Sequence, residues 1–219
     1  MKIFATSDIH ANKQIMDKLN QIEADLILIC GDIGAKGGRG RTFKEFSAYQ
    51  KESADYLCSV LDNIQPIKAK FILGNDDWFE YESPYYLQHQ TVIDGLYFIP
   101  FEYVLLTPFN TNREVNENKL EYELMKLDAN SNSIIVAHTP PWDAGDILYN
   151  GSHCGSLRVR EWIENTQPKI YLCGHIHEDN SVHQIGNTLI FNCACIFQTN
   201  ELKGWLIDTD TLEYSSLTI

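Results

Sequence analysis

Seven side chains with metal-ligating chemistry stand directly after short apolar segments of this chain. "KIFAT" leads into Asp8-Ile9-His10, "DLILIC" into Gly31-Asp32, and "AKFIL" into Gly74-Asn75-Asp76-Asp77. "SIIVA" leads into His138-Thr139-Pro140-Pro141, and "KIYLC" into Gly174-His175-Ile176-His177. Packing gives no reason to end one apolar strand after another in polar groups. Asp8, His10, Asp32, Asn75, His138, His175 and His177 form a mixed oxygen and imidazole set, which suits borderline divalent metals. Seven ligands are too many for one ion and about right for two that share a bridging carboxylate. Two ions about 3.5–4 Å apart make the clamp used in phosphoester hydrolysis, where they lower the pKa of a bridging water and yield a hydroxide nucleophile.

The elements around these residues must bring them together. "KIFAT" reads as a strand, and residues 12–24 carry Ile15, Met16, Leu19 and Ile22 at helical spacing. "DLILIC" is continuously apolar, as a strand buried on both faces would be. A glycine-rich loop, a helix over about 42–63 and "AKFIL" complete a β-α-β-loop-α-β pattern, which implies parallel strands with helices outside. The carboxyl ends of parallel strands share one edge, where ligands usually bind. Residues 91–108 read as a hairpin turning at Asp94-Gly95, and 113–130 as a polar surface helix. A helix near 156–165 precedes "KIYLC", and the tail reads as two hairpins turning at Gly186-Asn187 and at 208–211. With no repeat, linker or low-complexity segment, residues 1–219 are expected to form one domain. The glycines before Asp32, Asn75 and His175 are expected to let the backbone turn sharply.

DxH, GD, GN(x)(D/E), an apolar strand followed by His, and GHxH occur here in that order. In this the chain resembles the calcineurin-like metallophosphoesterases over roughly residues 2–195. "AHTPPWD", "HCGS" and "LCGHIHE" are most similar to the branch related to the bacterial cyclic-nucleotide phosphodiesterase Icc. The resemblance implies a four-layer α/β/β/α sandwich of two mixed sheets, the metallo-dependent phosphatase-like form of the α/β class. It implies that Asp8, His10, Asp32 and His177 hold one ion and Asp32, Asn75, His138 and His175 the other, with Asp32 bridging. Manganese is the expected metal, with Fe, Ni, Co or Zn as alternatives.

One position departs from the family pattern. The residue after the GN is usually a histidine thought to protonate the leaving oxygen; here it is Asp76. An aspartate has an unperturbed pKa of about 3.9, and nearby dications should keep it ionised. Substrates whose leaving group needs no acid, phenolic diesters or phosphoanhydrides, are therefore expected. His153, in "GSHCGS", is the candidate replacement acid. Lys36, Arg39 and Arg41 follow Asp32 closely and could hold an anionic substrate. Trp78, Phe79 and Trp142 could stack on an aromatic group or simply pack. His89 and His183 are expected to be surface or partly packed residues.

Seventeen basic against thirty acidic residues give a net charge of −13. Such a chain lacks the basic field that duplex nucleic acid binding relies on. No signal peptide, membrane partner or spanning segment is expected. The six scattered cysteines read as buried reduced thiols of a cytoplasmic protein, with Cys193 and Cys195 packing on one face of a strand. The expected partner is a small phosphorylated substrate, a nucleotide being one such molecule. The leading activity is phosphodiester hydrolysis, with nucleotide pyrophosphohydrolysis as the alternative. A nuclease is disfavoured by the charge, and a non-catalytic adaptor by the complete set of seven ligands.

Overall fold

In the computed structural model, which describes residues 1–37, 42–64 and 68–219, the continuous apolar runs become strands covered on both faces. Along the chain these are β1 (Lys2–Thr6), α1 (Lys13–Lys18), β2 (Leu26–Cys30), α2 (Phe43–Asn63) and β3 (Lys68–Ile72). Then come β4 (Thr91–Ile93), β5 (Leu96–Phe101), β6 (Val104–Leu105), β7 (Glu114–Val115), α3 (Glu117–Leu124) and β8 (Ser133–Ala137). The last are α4 (Leu157–Thr166), β9 (Ile170–Cys173), β10 (Val182–Ile185), β11 (Thr188–Asn192), β12 (Lys203–Asp208) and β13 (Tyr214–Thr218).

Two mixed sheets form, in the orders β13-β12-β1-β2-β3 and β10-β11-β9-β8-β5-β4. The side-chain alternation of a strand shows how they stack. Phe4, Ile27 and Ile29 pack outward against Ile15, Met16 and Leu57 of α1 and α2. Ile3, Ala5, Leu26 and Leu28 point the other way, onto Ile134, Val136, Ile170 and Leu172 of the second sheet. Ile135, Ala137 and Tyr171 leave that sheet's far side to meet Leu120, Leu124, Val159 and Ile163 of α3 and α4. The layers therefore run α/β/β/α.

β1, β2 and β3 are mutually parallel, as are β9, β8 and β5. The five polar clusters thus leave two sheets rather than the edge of one. The sheets are tied together beside the site by a parallel bridge between Ser7 and Ala194 and by Cys195 N–H donating to Ser7 C=O at 3.0 Å.

Local chemistry sets the element ends. Thr42 and Glu45 form a reciprocal capping box at the start of α2, and the Ser156 side chain accepts from Val159 N–H to start α4. The helix expected over 12–24 ends at Lys18 and continues only as a 3-10 turn, Leu19–Gln21. The helix expected over 113–130 is shorter. Glu114–Val115 pairs with Val104–Leu105, Asn116 caps the helix, and the α-helical segment ends at Leu124. Cys193 and Cys195 do not share a packing face: Cys193 lies between the sheets and Cys195 in the α1/α2 layer, beside the Thr6 hydroxyl. Four of the six thiols are buried, and Cys58 and Cys154 are partly exposed. Among the described residues no helix is long and apolar enough to cross a membrane.

Candidate metal centre

The loops after β1, β2, β3, β8 and β9 meet where the two sheets join. Asp8, His10 and His177 form one group whose ligand atoms all lie within 4.8 Å of one another; Asp8, Asp32 and His138 form a second. His177 Nε2 is 3.0 Å from Asp8 Oδ1 and 3.4 Å from His10 Nε2. His138 Nε2 is 3.0 Å from Asn75 Oδ1 and 3.5 Å from Asp32 Oδ1. His175 lies against the His138 ring, centroids 5.3 Å apart, and its backbone N–H donates to Asp8 Oδ2 at 2.9 Å. All seven residues read from the sequence are therefore neighbours.

Four of the seven have strained backbones. Asp8, His10, Asp32 and His175 have φ of 60°, 45°, 54° and 71°, a left-handed region that non-glycine residues seldom occupy. The adjoining glycines serve different ends. Gly31, at φ 98°, does need its conformational freedom. Gly74 and Gly174 are not in the left-handed region; they are needed for space. A Cβ on Gly74 would stand 2.2 Å from Asp32 Oδ1, and one on Gly174 would stand 2.0 Å from Ser7 Oγ and 2.5 Å from Asp8 Oδ2. The expected sharp turn is thus replaced at these two sites by close passage of a carboxylate.

The electrostatics fit a cation. Burial alone would raise Asp8 and Asp32, yet His177 beside Asp8 and His138 beside Asp32 hold both carboxyls well below their ordinary range. Burial likewise works against a charged His138, but Asp32 overrides it and pushes the imidazole up to about 10. Burial dominates at His10 and His175, bringing them down to about 3 and about 4, so both are neutral rings with a free lone pair. His138 Nδ1 faces the Cys30 carbonyl at 2.7 Å. Without an ion Asp32 therefore keeps His138 protonated; with Nδ1–H held on the Cys30 carbonyl, it is the Nε2 proton that would leave when an ion binds, giving the arrangement usual for a metal-bound histidine. Two wholly buried anions, neutral imidazoles and an asparagine oxygen together suit divalent ions.

Several supporting residues complete the site, of which only Asp77, the acidic position of GN(x)(D/E), carries a sequence signal. Asp77 is buried and accepts from the N–H groups of Ile33, Gly34 and Gly74, at 3.2, 2.7 and 2.8 Å. It clamps the Asp32 loop to the Asn75 loop, and burial with the nearby Asp32 charge pushes it up to about 7. Arg113 donates to Glu102 at 3.1 Å and to the carbonyls of Gly74 and Asp77. Thr111 Oγ accepts from Asn75 Nδ2 at 2.7 Å, which turns Asn75 Oδ1 toward His138.

Asp76 lines the cleft beside the cluster, with a ligand atom within 4.8 Å of those of His10 and Asp32. Its N–H donates to Asp32 Oδ1 at 2.8 Å, and its carboxylate is 3.9 Å from Lys36 Nζ. Burial and the Asp32 charge push it up to about 6. His153 is held elsewhere. Its Nδ1 is 2.7 Å from buried Asp146, its Nε2 is 3.6 Å from Asp143, and its ring lies against Trp142. Neither His153 nor Trp142 is among the lining residues of the cavities at the cluster. Trp78 does line the cleft, edge-on to Phe43, whereas Phe79 is in the core. His89 is exposed and His183 pairs with Ser181. Arg39 and Arg41 lie outside the described residues.

A His/Asp cluster thus lies where the two sheets of an α/β/β/α sandwich meet. The chain belongs to the calcineurin-like phosphoesterase family, whose model matches residues 1–179. It is 29% identical over 206 residues to the uncharacterized protein MJ1162 of Methanocaldococcus jannaschii, covering 88% of this chain and 87% of that protein. It is 29% identical over 216 residues to the UPF0046 protein K07C11.7 of Caenorhabditis elegans, covering 93% and 72%. The solved structure of TT1561 from Thermus thermophilus shares the fold, with a TM-score of 0.66 at 15% identity over 99% of this chain and 97% of that one.

Proposed function

We propose that this chain hydrolyses phosphodiesters of small molecules with two divalent ions, manganese foremost, held by Asp8, His10, Asp32, Asn75, His138, His175 and His177. The ions, when bound, supply an activated water and neutralise charge on the phosphoryl oxygens. The observation that carries the diester reading is that the cluster opens on two cavities, of about 560 and about 400 Å³. His175, His177 and Lys36 line both. A phosphoryl group at that junction has room for two ester substituents, one on each side.

The protein's own groups then act by charge and position. Lys36 faces both cavities and balances the anionic substrate in an otherwise acidic molecule. Asp76 adjoins the larger cavity, where a leaving group that departs unprotonated fits best. Hydrolysis breaks one P–O ester bond as the oxygen of water forms another; a phenolic product leaves as phenolate. The same lysine would suit the terminal phosphate of a phosphoanhydride, which keeps nucleotide pyrophosphohydrolysis as the second reading. With neither Asp146 nor His153 among the residues lining the two cavities, His153 is proposed as a brace of the 143–155 loop rather than as the acid.

The test compares bis-4-nitrophenyl phosphate with 4-nitrophenyl phosphate, using metal-stripped protein before and after addition of Mn²⁺. The reading expects metal-dependent turnover that favours the diester and is lost in Asp32→Ala. A preference for the monoester would refute it.

A further inference from the structure

The two cavities at the cluster differ in chemistry. The larger has an aromatic wall, Phe43, Phe46 and Trp78, with Phe43 and Trp78 edge to face at a centroid distance of 5.8 Å. The smaller is walled by Leu105, Leu106, Pro108, Leu148 and Ile176, with Phe109 shared between the two. We infer that the smaller cavity is a subsite for a neutral aliphatic ester arm, so that the substrate class is a mixed phosphodiester with one planar and one alkyl substituent. This rests on the diesterase reading above.

Three observations carry it. First, the apolar wall is exposed although it is built. Leu106 and Phe109 are 68% and 79% exposed. Yet their loop is fixed: Thr107 N–H donates to Glu114 at 3.0 Å, and Phe109 N–H to Thr107 Oγ at 3.1 Å. An ordered loop that holds large apolar side chains in water beside a reactive centre is a binding surface. Second, the cavity volume of about 400 Å³ falls in the range of small-molecule sites. Third, among the described residues the polar lining gives little reason for a charged arm. Glu178 stands exposed in that lining and repels anions. Lys36 is shared with the larger cavity and is already opposite Asp76. Burial keeps the Cys154 thiol neutral, pushed up to about 12.

The experiment uses the full chain loaded with Mn²⁺ and a series of 4-nitrophenyl alkyl phosphates: methyl, butyl and octyl. Each reaction consumes one water and yields 4-nitrophenolate and the alkyl phosphate. Since the alkyl arm stays on phosphorus, its binding is the same in ground and transition states, and the gain falls in KM with kcat constant. Burial of each methylene gives an expected fall in KM of about two- to fourfold until the cavity is filled. Leu106→Ser, an exposed position whose change spares the core, flattens the dependence; Met125→Ser, an equally exposed apolar residue on α3's C-terminal turn, keeps it. Turnover of the methyl ester with KM independent of chain length overturns the subsite and leaves the diesterase standing. No turnover of any ester overturns the diesterase, and the subsite with it.

Discussion

Replacing Asp76 by asparagine should stabilise the metal-free protein at neutral and alkaline pH. Asp76 is 22% exposed, close to Asp32, and raised by burial and that charge to about 6. Because the folded-state value lies above the ordinary one near 3.9, the unfolded chain ionises first, and ionisation opposes folding. The penalty is absent below about pH 4, grows between about 4 and 6, and is complete above that. A carboxyl raised from about 3.9 to about 6 carries a penalty of about 3 kcal/mol. For a chain of this size that is a rise in Tm of about 6–12 °C. Asparagine keeps the shape and removes the charge. The assay is thermal unfolding of chelator-treated wild type and Asp76→Asn at pH 8 and at pH 4. A higher Tm for the variant at pH 8 that vanishes at pH 4 is expected. Adding Mn²⁺ should shrink the difference, since cations favour the ionised carboxylate and stabilise the state that binds them. An unchanged or lower Tm for the variant at pH 8 would refute the claim that Asp32 and burial strain this position.

Three further outcomes follow from the supporting residues. Thr111→Val removes the acceptor that holds the Asn75 amide, and Mn²⁺ affinity measured by calorimetry should fall about 10- to 100-fold with the fold intact. Gly174→Ala forces a methyl group against Ser7 and Asp8; chemical denaturation should show a loss of about 1–3 kcal/mol together with weakened metal binding. Arg113→Met strands Glu102 and two loop carbonyls in a largely buried place, and unfolding in urea should show a loss of about 3 kcal/mol.

The seven cluster residues were legible because each stands at the end of an apolar strand, and a parallel topology leaves such ends together. The layer order was legible through the family resemblance and through runs such as Leu26–Cys30, whose alternate residues enter two different cores. Apart from Asp77, the acidic position of GN(x)(D/E), the residues that hold the cluster in place were not legible. Thr111, Glu102 and Arg113 act across 29 to 39 positions of sequence, through single hydrogen bonds that leave no periodic pattern. The helix expected over 113–130 starts later than expected for a related reason: Glu114 is taken up by the loop at Thr107 and Thr111, and Asn116 caps the helix only after it. The glycines at 74 and 174 could be read as special, but whether for conformation or for space depends on the passing carboxylate, which belongs to another strand.

The most direct test of the central claim is a titration of metal-stripped protein with Mn²⁺, following initial rates of bis-4-nitrophenyl phosphate hydrolysis against equivalents of metal added. Activity is predicted to rise and level off at about two equivalents per chain, the number suited to seven ligands with one bridging carboxylate. A plateau at one equivalent, or no turnover with two ions bound, would contradict it.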